Sequence, residues 1–468
     1  MTTTKKPKKQ KLRNAEYYDL QATFDKLYLE SKNGKTFTKI MPIILSENNI
    51  RLAYRNLKRN SGSKTAGTDN KTIKDLETWK EPDLVRYVRK RLEWYIPQPV
   101  RRVEIAKDNG KTRPLGIPTI QDRLIQQCFL QVLEPICEAK FHDRSFGFRP
   151  NRSQENAVAV AYSLMQIQHL HFVVDLDIKG FFDNVSHGKL LRQMWALGIR
   201  DKTVLSILSA MLKAEVAGIG FPEKGTPQGG IISPLLSNIV LNELDWWISS
   251  QWETMPMRKN YVRTRKDNGV AEKTYAYKVL REKSRLKECY GLRYADDFRI
   301  FCRRRQDAEK LFIATQKWLK ERLGLDISPE KSQIVNLKRK YSEFLGFKMM
   351  VKPNGKSGSK TRYTVVSHVS EKRKKKIKKR ASELVAKIKF PADKFEEHKF
   401  IMDYNSYVMG IHNYYSMATH ANQDFSEIGF SVKRTMKCRL GQRLKKSGNS
   451  LPQYVQEKYG RSKELRYI

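Results

Sequence analysis

The sequence has few cysteines, no histidine cluster and no long hydrophobic run. Its 468 residues include five cysteines, none in the CxxC pairs typical of zinc ribbons, and eight histidines without an HExxH motif. No apolar stretch approaches the ~18 residues of a membrane span, and the N-terminus has no apolar signal segment. We therefore expect no structural zinc, no disulfide framework and no membrane partner, and a location in the cytoplasm or in an organelle.

Acidic residues are also scarce relative to basic ones. The chain carries 91 Lys and Arg against 49 Asp and Glu, a formal net charge of +42. Such a chain repels itself unless an anionic partner neutralises it. Nucleic acid is the expected partner, because each phosphate contact releases counterions and adds affinity. The 40% of hydrophobic residues is enough for packed cores and argues against full disorder.

Composition and periodicity divide the chain into four regions. Residues 1–49 read as a basic arm followed by a helix. In residues 50–350, short β-like runs alternate with helix-like ones, which predicts an α+β domain with an antiparallel sheet. A polar insertion near 252–288 interrupts this domain. Residues 365–445 predict three amphipathic helices, and residues 446–468 form a basic tail.

The first helix of the third region is unusually basic. Eight of the ten residues Glu371–Arg380 are Lys or Arg, while Ile377, Ala381 and Leu384 recur at helical spacing. This pattern predicts one apolar face and one basic face. The residues that we expect to bind nucleic acid on the basic face are Lys372, Arg373, Lys375, Lys376, Lys379 and Arg380. Just before this helix, residues 353–361 (PNGKSGSKT) predict a turn or a linker.

The sharpest local signal is the sequence Tyr294-Ala295-Asp296-Asp297. Apolar residues alternate on both sides of it, which predicts a β-hairpin with the acids at its tip. Two adjacent carboxylates repel one another, and Mg²⁺ relieves such repulsion because it prefers oxygen ligands. These four residues alone fit an ordinary Asp-containing turn equally well.

A second acidic segment strengthens the case for a metal site. In residues 172–183 (FVVDLDIKGFFD) the period of two places Val174, Leu176 and Ile178 on one face of a strand. Asp175 and Asp177 share the other face. Carboxylates on a central strand need a partner, because buried charge is costly. Two acidic segments that meet across a sheet would hold two Mg²⁺ ions about 3.5–4 Å apart, as polymerases do.

These motifs resemble those of the reverse transcriptases and maturases encoded by group II introns, and the resemblance spans about residues 50–445. The YADD sequence resembles the catalytic hairpin of that family, and residues 177–183 (DIKGFFD) resemble its first catalytic strand. The resemblance implies that Asp177, Asp296 and Asp297 are the catalytic metal ligands, with a backbone carbonyl from Ile178. It also implies a right-hand polymerase with fingers, a palm and a helical thumb.

The same resemblance implies a set of residues that bind the deoxynucleotide. Phe182 falls at the position of a ring that excludes a 2′-hydroxyl by its size. Lys107 and Arg113 fall where the triphosphate is held, and Gln228 lies in the glycine-rich block GTPQGGIISPLLSN. Lys331 is a candidate proton donor to pyrophosphate. A core phenylalanine and an exposed lysine remain the alternatives for Phe182 and Lys331.

Three further segments of the resemblance concern nucleic acid. Arg149, in the block SFGFRPNRS, is expected near the template or near structural acids. Gly229 is expected to let the backbone approach the template. The segment Glu343–Phe347 (EFLGF) resembles the primer grip.

The function implied by the resemblance is RNA-directed DNA synthesis together with intron RNA binding that assists splicing and retrohoming. The expected partners are the intron RNA, a DNA target or primer, and dNTPs. A domesticated or defence-type reverse transcriptase, or a splicing factor with a silent polymerase core, remains an alternative. Many family members continue into a Cys/His nuclease, which this sequence does not reach, so we do not expect target-strand cleavage. Residues 446–468 are a possible remnant of a DNA-binding segment.

Overall fold

The fold is mixed, with helices and antiparallel sheets. A computed structural model describes residues 13–441, apart from 107–109, 111, 258, 266–268 and 270. The described helices are Asn14–Tyr17 (α1), Gln21–Lys32 (α2), Met41–Ile44 (α3), Glu47–Arg59 (α4), Ile73–Glu77 (α5), Glu81–Glu93 (α6), Ile120–Glu138 (α7), Gln154–Gln166 (α8), His187–Leu197 (α9), Lys202–Leu212 (α10), Ser233–Ser250 (α11), Thr274–Lys283 (α12), Arg305–Trp318 (α13), Glu371–Lys389 (α14), Lys394–Tyr415 (α15) and Ala421–Leu440 (α16). The described strands are Arg101–Ala106 (β1), Thr112–Ile117 (β2), Phe172–Leu176 (β3), Arg263–Thr264 (β4), Ala271–Glu272 (β5), Cys289–Tyr294 (β6), Asp297–Cys302 (β7), Gln333–Asn336 (β8), Ser342–Phe344 (β9), Phe347–Ser357 (β10) and Lys360–Val369 (β11).

A four-stranded antiparallel sheet with the strand order β6-β7-β3-β8 carries the acidic segments. Strand β3 lies between β7 and β8, so its apolar residues Val173, Val174 and Leu176 are buried. Helix α13 packs against β3 and β7, and α11 packs against β6. The predicted α+β domain with an antiparallel sheet is therefore confirmed.

A second sheet joins this region to the C-terminal helices. Its strand order is β11-β10-β9, and β10 and β11 form a long hairpin. Residues 353–361 belong to the outer part of this hairpin, where the register shifts between Pro353 and Lys356. The linker alternative for this segment is therefore wrong, because Gly- and Ser-rich composition marks a hairpin tip as readily as a linker. The helices also begin later than residue 365, since β11 continues to Val369.

The C-terminal region contains the three helices that the periodicity predicts. Helix α14 packs against α15 and α16, and their buried residues include Ile377, Leu384, Tyr404, Ile428 and Val432. The side chains of these residues form one continuous apolar core with those of the sheet and of the buried helix α7. The C-terminal helices are therefore packed directly onto the region that carries the acidic segments.

The remaining regions depart from the prediction in detail. The N-terminal helix is broken at Asp19, whose φ of 54° lies in the left-handed region, so that α1 and α2 are separate. The stretch 252–288 contains helix α12 and the β4-β5 ribbon, which its weak periodicity did not reveal. No helix in the described part of the chain is long and apolar enough to cross a membrane. Residues 1–12 of the basic arm and the tail 446–468 lie outside the described residues.

Candidate active site

The YADD segment forms the predicted hairpin. Strands β6 and β7 pair up to Tyr294 opposite Asp297, which leaves Ala295 and Asp296 as a two-residue loop. Ala295 has a φ of 58°, a backbone conformation that residues other than glycine rarely adopt. Asp296 is exposed at the tip, and Asp297 is half-buried at the start of β7. Neighbouring groups must therefore hold the loop in this unfavourable conformation.

A buried polar network holds the hairpin tip. Arg293 is 1% exposed, donates to the carbonyl of Ala295 at 2.8 Å, and forms an ion pair with Asp245 at 2.7 Å. Asn238 accepts from the Arg293 guanidinium at 2.9 Å and donates to the carbonyl of Gly147 at 2.9 Å. A Cβ atom on Gly147 would lie 2.2 Å from the Ala295 nitrogen, so only glycine fits there. Helix α11 and the loop around Gly147 thus position the two aspartates.

The two acidic segments meet at one cavity of about 560 Å³. The residues around it include Asp177, Asp296 and Asp297, together with Asp175, Arg299, Lys331 and Glu343. Asp177 follows directly after β3, where its carbonyl accepts from the Ser328 N–H at 2.7 Å. The sheet therefore brings together carboxylates that are separated by more than a hundred residues of sequence.

Arg299, which no sequence motif marks, neutralises two of these acids. Its guanidinium lies 2.8 Å from Asp175 and 2.6 Å from Asp297. Burial raises the pKa of Asp175 to about 6, although Arg299 and the Ser342 hydroxyl both lower it. Burial also raises the pKa of Asp297, against the opposing effect of Arg299. The sequence contains an indication of this pairing, because strand alternation places Arg299 on the same face as Asp297.

Lys331 and Ile178 also lie at the site. The Lys331 ammonium is 2.9 Å from the carboxylate of Asp177. Ile178 is buried and forms an antiparallel β-bridge with Ile327. In the two hydrogen bonds of this bridge, the Asp177 carbonyl accepts and the Lys179 N–H donates. Neither of these two bonds occupies the carbonyl of Ile178.

The donor set around the cavity suits a hard divalent cation. The three carboxylates Asp177, Asp296 and Asp297 supply oxygen ligands, and the charges of Asp296 and Asp177 raise the pKa of Asp297. A divalent cation would relieve this repulsion. Among the described residues, no three acidic, histidine or cysteine side chains already surround a single point closely enough to be a formed metal site.

A second cavity, of about 420 Å³, lies beside the glycine-rich block. Phe182, Asp183 and Gln228 line it, and the Gln228 amide is 3.5 Å from the Asp183 carboxylate. The N–H of Thr226 donates to the carbonyl of Phe182 at 2.8 Å. Phe182 is half-buried, so part of its ring is accessible from the cavity. The fold thus brings the predicted sugar-excluding ring and the predicted nucleotide-binding amide together.

Gly229 and Arg113, one of the two predicted triphosphate ligands, lie at the β1-β2 ribbon. A Cβ atom on Gly229 would lie 2.3 Å from the carbonyl of Gly116 in β2, so packing against this strand requires glycine at position 229. Arg113 pairs with Ile105 between β2 and β1. Lys107 lies outside the described residues.

Arg149 does not have the position expected of a template ligand. Its side chain is 2% exposed and forms an ion pair with Glu138 at 2.9 Å. The same guanidinium donates to the carbonyls of His142 and Ser145, both at 2.7 Å. The assignment of Arg149 to nucleic-acid binding is therefore wrong, and the structural acid is its partner. Sequence could not decide this, since Glu138 lies on the separate helix α7.

Helix α14 has the two faces that its sequence predicts. Lys374 and Lys378 point inward and pair with Glu427 of α16, at 2.8 and 2.7 Å. The six residues expected to bind nucleic acid are all accessible to solvent: Lys372, Arg373, Lys375, Lys376, Lys379 and Arg380. Their exposure makes them available to a polyanion, and their role in binding remains a prediction.

Comparison with known proteins identifies the class. Residues 105–349 match the family model described as reverse transcriptase (RNA-dependent DNA polymerase). This stretch includes both acidic segments and the glycine-rich block. The chain is therefore a reverse transcriptase, an RNA-directed DNA polymerase.

Similar proteins identify the particular family. The group II intron-encoded protein LtrA of Lactococcus lactis subsp. cremoris is 31% identical, over 84% of this chain and 74% of the relative. The putative COX1/OXI3 intron 2 protein of Saccharomyces cerevisiae is 28% identical, over 69% of this chain and 41% of the relative. The chain belongs to the family of group II intron-encoded reverse transcriptases and maturases, as its motifs predicted.

Proposed function

We propose that this protein extends a DNA primer along an RNA template with dNTPs and Mg²⁺, and that it binds its intron RNA to assist splicing and retrohoming. The observation that carries the polymerase proposal is the cavity where Asp177 meets Asp296 and Asp297. In this proposal the four-stranded sheet is the palm, the β1-β2 ribbon belongs to the fingers, and helices α14–α16 are the thumb.

The proposed chemistry assigns a task to each residue at the two cavities. Asp177, Asp296 and Asp297 would hold two Mg²⁺ ions, and these ions would lower the pKa of the primer 3′-hydroxyl and stabilise the charge of the leaving pyrophosphate. Arg299 keeps Asp297 oriented by its ion pair. Lys331 donates a proton to the leaving pyrophosphate once its ammonium turns away from Asp177. Phe182 excludes ribonucleotides by its size, and Gln228 orients the incoming dNTP.

The test is primer extension on an RNA template, comparing the natural protein with Asp296→Asn. We expect the variant to lose at least roughly a hundred-fold in rate, because one carboxylate ligand is gone while the fold is retained. Asp83→Asn is the matched control, since Asp83 lies on the exposed surface of α6 with 51% of its side chain accessible. Equal activity of Asp296→Asn and the natural protein would refute the assignment of the site. Tight RNA binding without any extension by the natural protein would favour a splicing factor with a silent polymerase core.

A further inference from the structure

The outer half of the β10-β11 hairpin extends beyond the rest of its sheet. Strand β9 pairs only with Phe347–Met349 at the start of β10, whereas β10 and β11 stay paired as far as Ser357 and Lys360. Residues 344–370 contain four lysines and one arginine, and they contain no Asp or Glu. The outer half of the hairpin therefore carries positive charge and no negative charge.

The free edge of β11 is covered at one end and open at the other. The N–H of Ser367 donates to the hydroxyl of Thr419 at 2.8 Å, and the N–H of Val365 donates to the side-chain oxygen of Gln166 at 3.2 Å. Alternate residues of an antiparallel strand direct their backbone groups to the same side, so the N–H and C=O of Tyr363 also point to this edge. In the described part of the chain, no hydrogen-bond partner covers these two groups. The edge at Tyr363 is therefore an open donor and acceptor pair.

A cleft of about 630 Å³ separates this open edge from the end of α8. Gln166 and His169 line one side of the cleft, and Asn354, Arg362 and Tyr363 line the other. None of the described residues that line it is acidic. Arg362 is exposed and forms no ion pair with an acid of the described part of the chain. The cleft thus combines amides, aromatic rings and open backbone groups with an uncompensated positive charge.

The cleft is remote from the catalytic aspartates. The ring of Tyr363 lies 4.8 Å from that of His171, and the ammonium of Lys338 lies 4.5 Å from the centre of the Tyr363 ring. His171 precedes β3, and Asp177 follows it at the other end. At about 3.3 Å per residue, the cleft is on the order of 20 Å from the Asp177 carboxylate. Along β11, a similar distance separates Tyr363 from Val369, where α14 is about to begin.

We propose that this cleft binds an unpaired nucleotide of the intron RNA. The proposal rests on the proposed binding of that RNA, and it adds a contact separate from the catalytic cavity and from the basic face of α14. Proteins recognise RNA mostly at unpaired nucleotides, whose bases stack on aromatic rings and form hydrogen bonds through their edges. Here the N–H and C=O of Tyr363 bind the edge of the base, and the guanidinium of Arg362 binds a phosphate.

The charge of the cleft favours RNA over a protein strand. An extended peptide can also add to an open strand edge. However, the hairpin is uniformly basic and the cleft has no acidic lining residue, which suits a polyanion. The side-chain amides of Gln166 and Asn354 border the same space and offer further hydrogen-bonding groups to a base.

The experiment maps where a short RNA crosslinks to the protein. The probe is a single-stranded RNA octamer that contains one 4-thiouridine, and crosslinked peptides are identified by mass spectrometry. We expect crosslinks on the peptides that contain His169 and Tyr363. For Arg362→Gln, their yield at subsaturating RNA should fall about three-fold to ten-fold, because one phosphate contact is lost, while crosslinks elsewhere keep their yield. Arg362→Lys should restore part of the yield, because it keeps the charge without the fork.

Three controls make the result specific to the cleft. Arg59→Gln removes an exposed arginine at the end of α4 and should leave the cleft crosslinks unchanged. The melting temperature of Arg362→Gln should equal that of the natural protein, because the side chain is exposed. An excess of primer–template duplex should also leave the cleft crosslinks in place. Absence of these crosslinks, an equal yield in Arg362→Gln, or their loss when primer–template is added would each overturn the inference.

Competition by intron RNA separates this inference from the proposed function. Intron RNA should displace the octamer from the cleft peptides and, when it is transcribed with 4-thiouridine, should crosslink to them itself. If intron RNA binds tightly and leaves the cleft crosslinks of the octamer unchanged, the inference is overturned and the proposed function stands. If the natural protein binds no intron RNA, the proposed RNA-binding function fails and the inference fails with it.

Discussion

At the scale of single residues, two largely buried arginines, Arg293 and Arg299, hold the charged groups of the site in place. Arg299 bridges Asp175 and Asp297, and Arg293 holds Asp245 and the carbonyl of Ala295. Removing one partner of a buried ion pair is costly, because the other charge is left without compensation in a medium of low dielectric constant. These side chains therefore determine both the stability of the hairpin and the position of its carboxylates.

The substitution Arg299→Gln tests this coupling. We expect it to lower the free energy of unfolding by about 3–5 kcal/mol and to reduce primer extension, because Asp175 and Asp297 lose their shared counterion. Urea unfolding monitored by circular dichroism gives the stability change. The exposed Arg304→Gln on the same chain segment should change stability by less than about 0.5 kcal/mol. Combining Arg299→Gln with Asp175→Asn should cost less than the sum of the two single changes, and additivity would contradict the coupling.

The backbone at the hairpin tip makes an independent prediction. Ala295→Gly should preserve primer extension and change stability by no more than about 1 kcal/mol, because glycine adopts a φ of 58° without strain. Gly147→Ala should abolish extension, because the new Cβ would lie 2.2 Å from the Ala295 nitrogen. Gly188→Ala is the matched control, since a Cβ there meets no atom within 4 Å. An active Gly147→Ala enzyme would show that the tip tolerates displacement.

Helix α14 combines structural and binding roles in one element. Its inner basic residues are used for packing, since Lys374 and Lys378 both pair with Glu427 of α16. Its outer basic residues are open to solvent on the other side of the helix. Composition alone does not distinguish the two groups, whereas the helical period places Lys374 and Lys378 beside the apolar positions.

The ion pairs of Glu427 predict a pH dependence for the packing of α14 and α16. The hydrogen bond from Lys374, followed by that from Lys378, lowers the pKa of Glu427 from 4.5 to about 2. A pKa that is lower in the folded state gives stability that is present above pH 4.5 and is lost as the pH falls toward 2. Glu427→Gln should remove this contribution, and solvent screening keeps it small because half of the Glu427 side chain is exposed.

Urea unfolding midpoints measured across this acidic range test the prediction. The midpoint of the natural protein should fall more steeply with decreasing pH than that of Glu427→Gln. Parallel curves would mean that the pairs with Lys374 and Lys378 contribute nothing measurable.

At the scale of the whole molecule, the net charge of +42 favours a polyanionic partner. Replacing Lys375, Lys376 and Lys379 by glutamine should weaken intron RNA binding. It should also make the slope of log K against log salt concentration shallower, by about 0.7–0.9 for each phosphate that is no longer neutralised. Filter binding over a range of salt concentrations measures both quantities.

The matched control removes the same charge from another exposed helix. The control uses three exposed lysines: Lys310 and Lys317 of α13, and Lys320 of the π-helical segment Leu319–Leu323 that follows it. Their replacement by glutamine should leave the salt slope nearly unchanged. Equal effects of the two triple variants would mean that net charge, and not the face of α14, determines RNA binding.

Much of the site was predictable because its signals are local. The YADD hairpin follows from strand alternation over a few residues, and the three amphipathic helices follow from the helical period. The partners of charged residues were harder to predict from the sequence. Arg149 has the sequence context of a template ligand, yet it forms an ion pair with Glu138. Arg299 belongs to no sequence motif, although strand alternation places it on the same face as its partner Asp297. In both cases, the missing information was the identity of the opposite charge.

The sequence by itself determined the family, the secondary structure around the acidic residues, and the net charge that favours a polyanionic partner. These properties depend on motif spacing, on local periodicity and on net charge. Only the tertiary structure decided which groups neutralise each carboxylate, what holds Ala295 in its strained conformation, and which basic residues remain exposed. Asn238 reaches Gly147 across 91 residues of sequence, and Tyr414 reaches Leu345 across 69. Pairings over such separations are created by the packing of whole elements, and no local pattern encodes them.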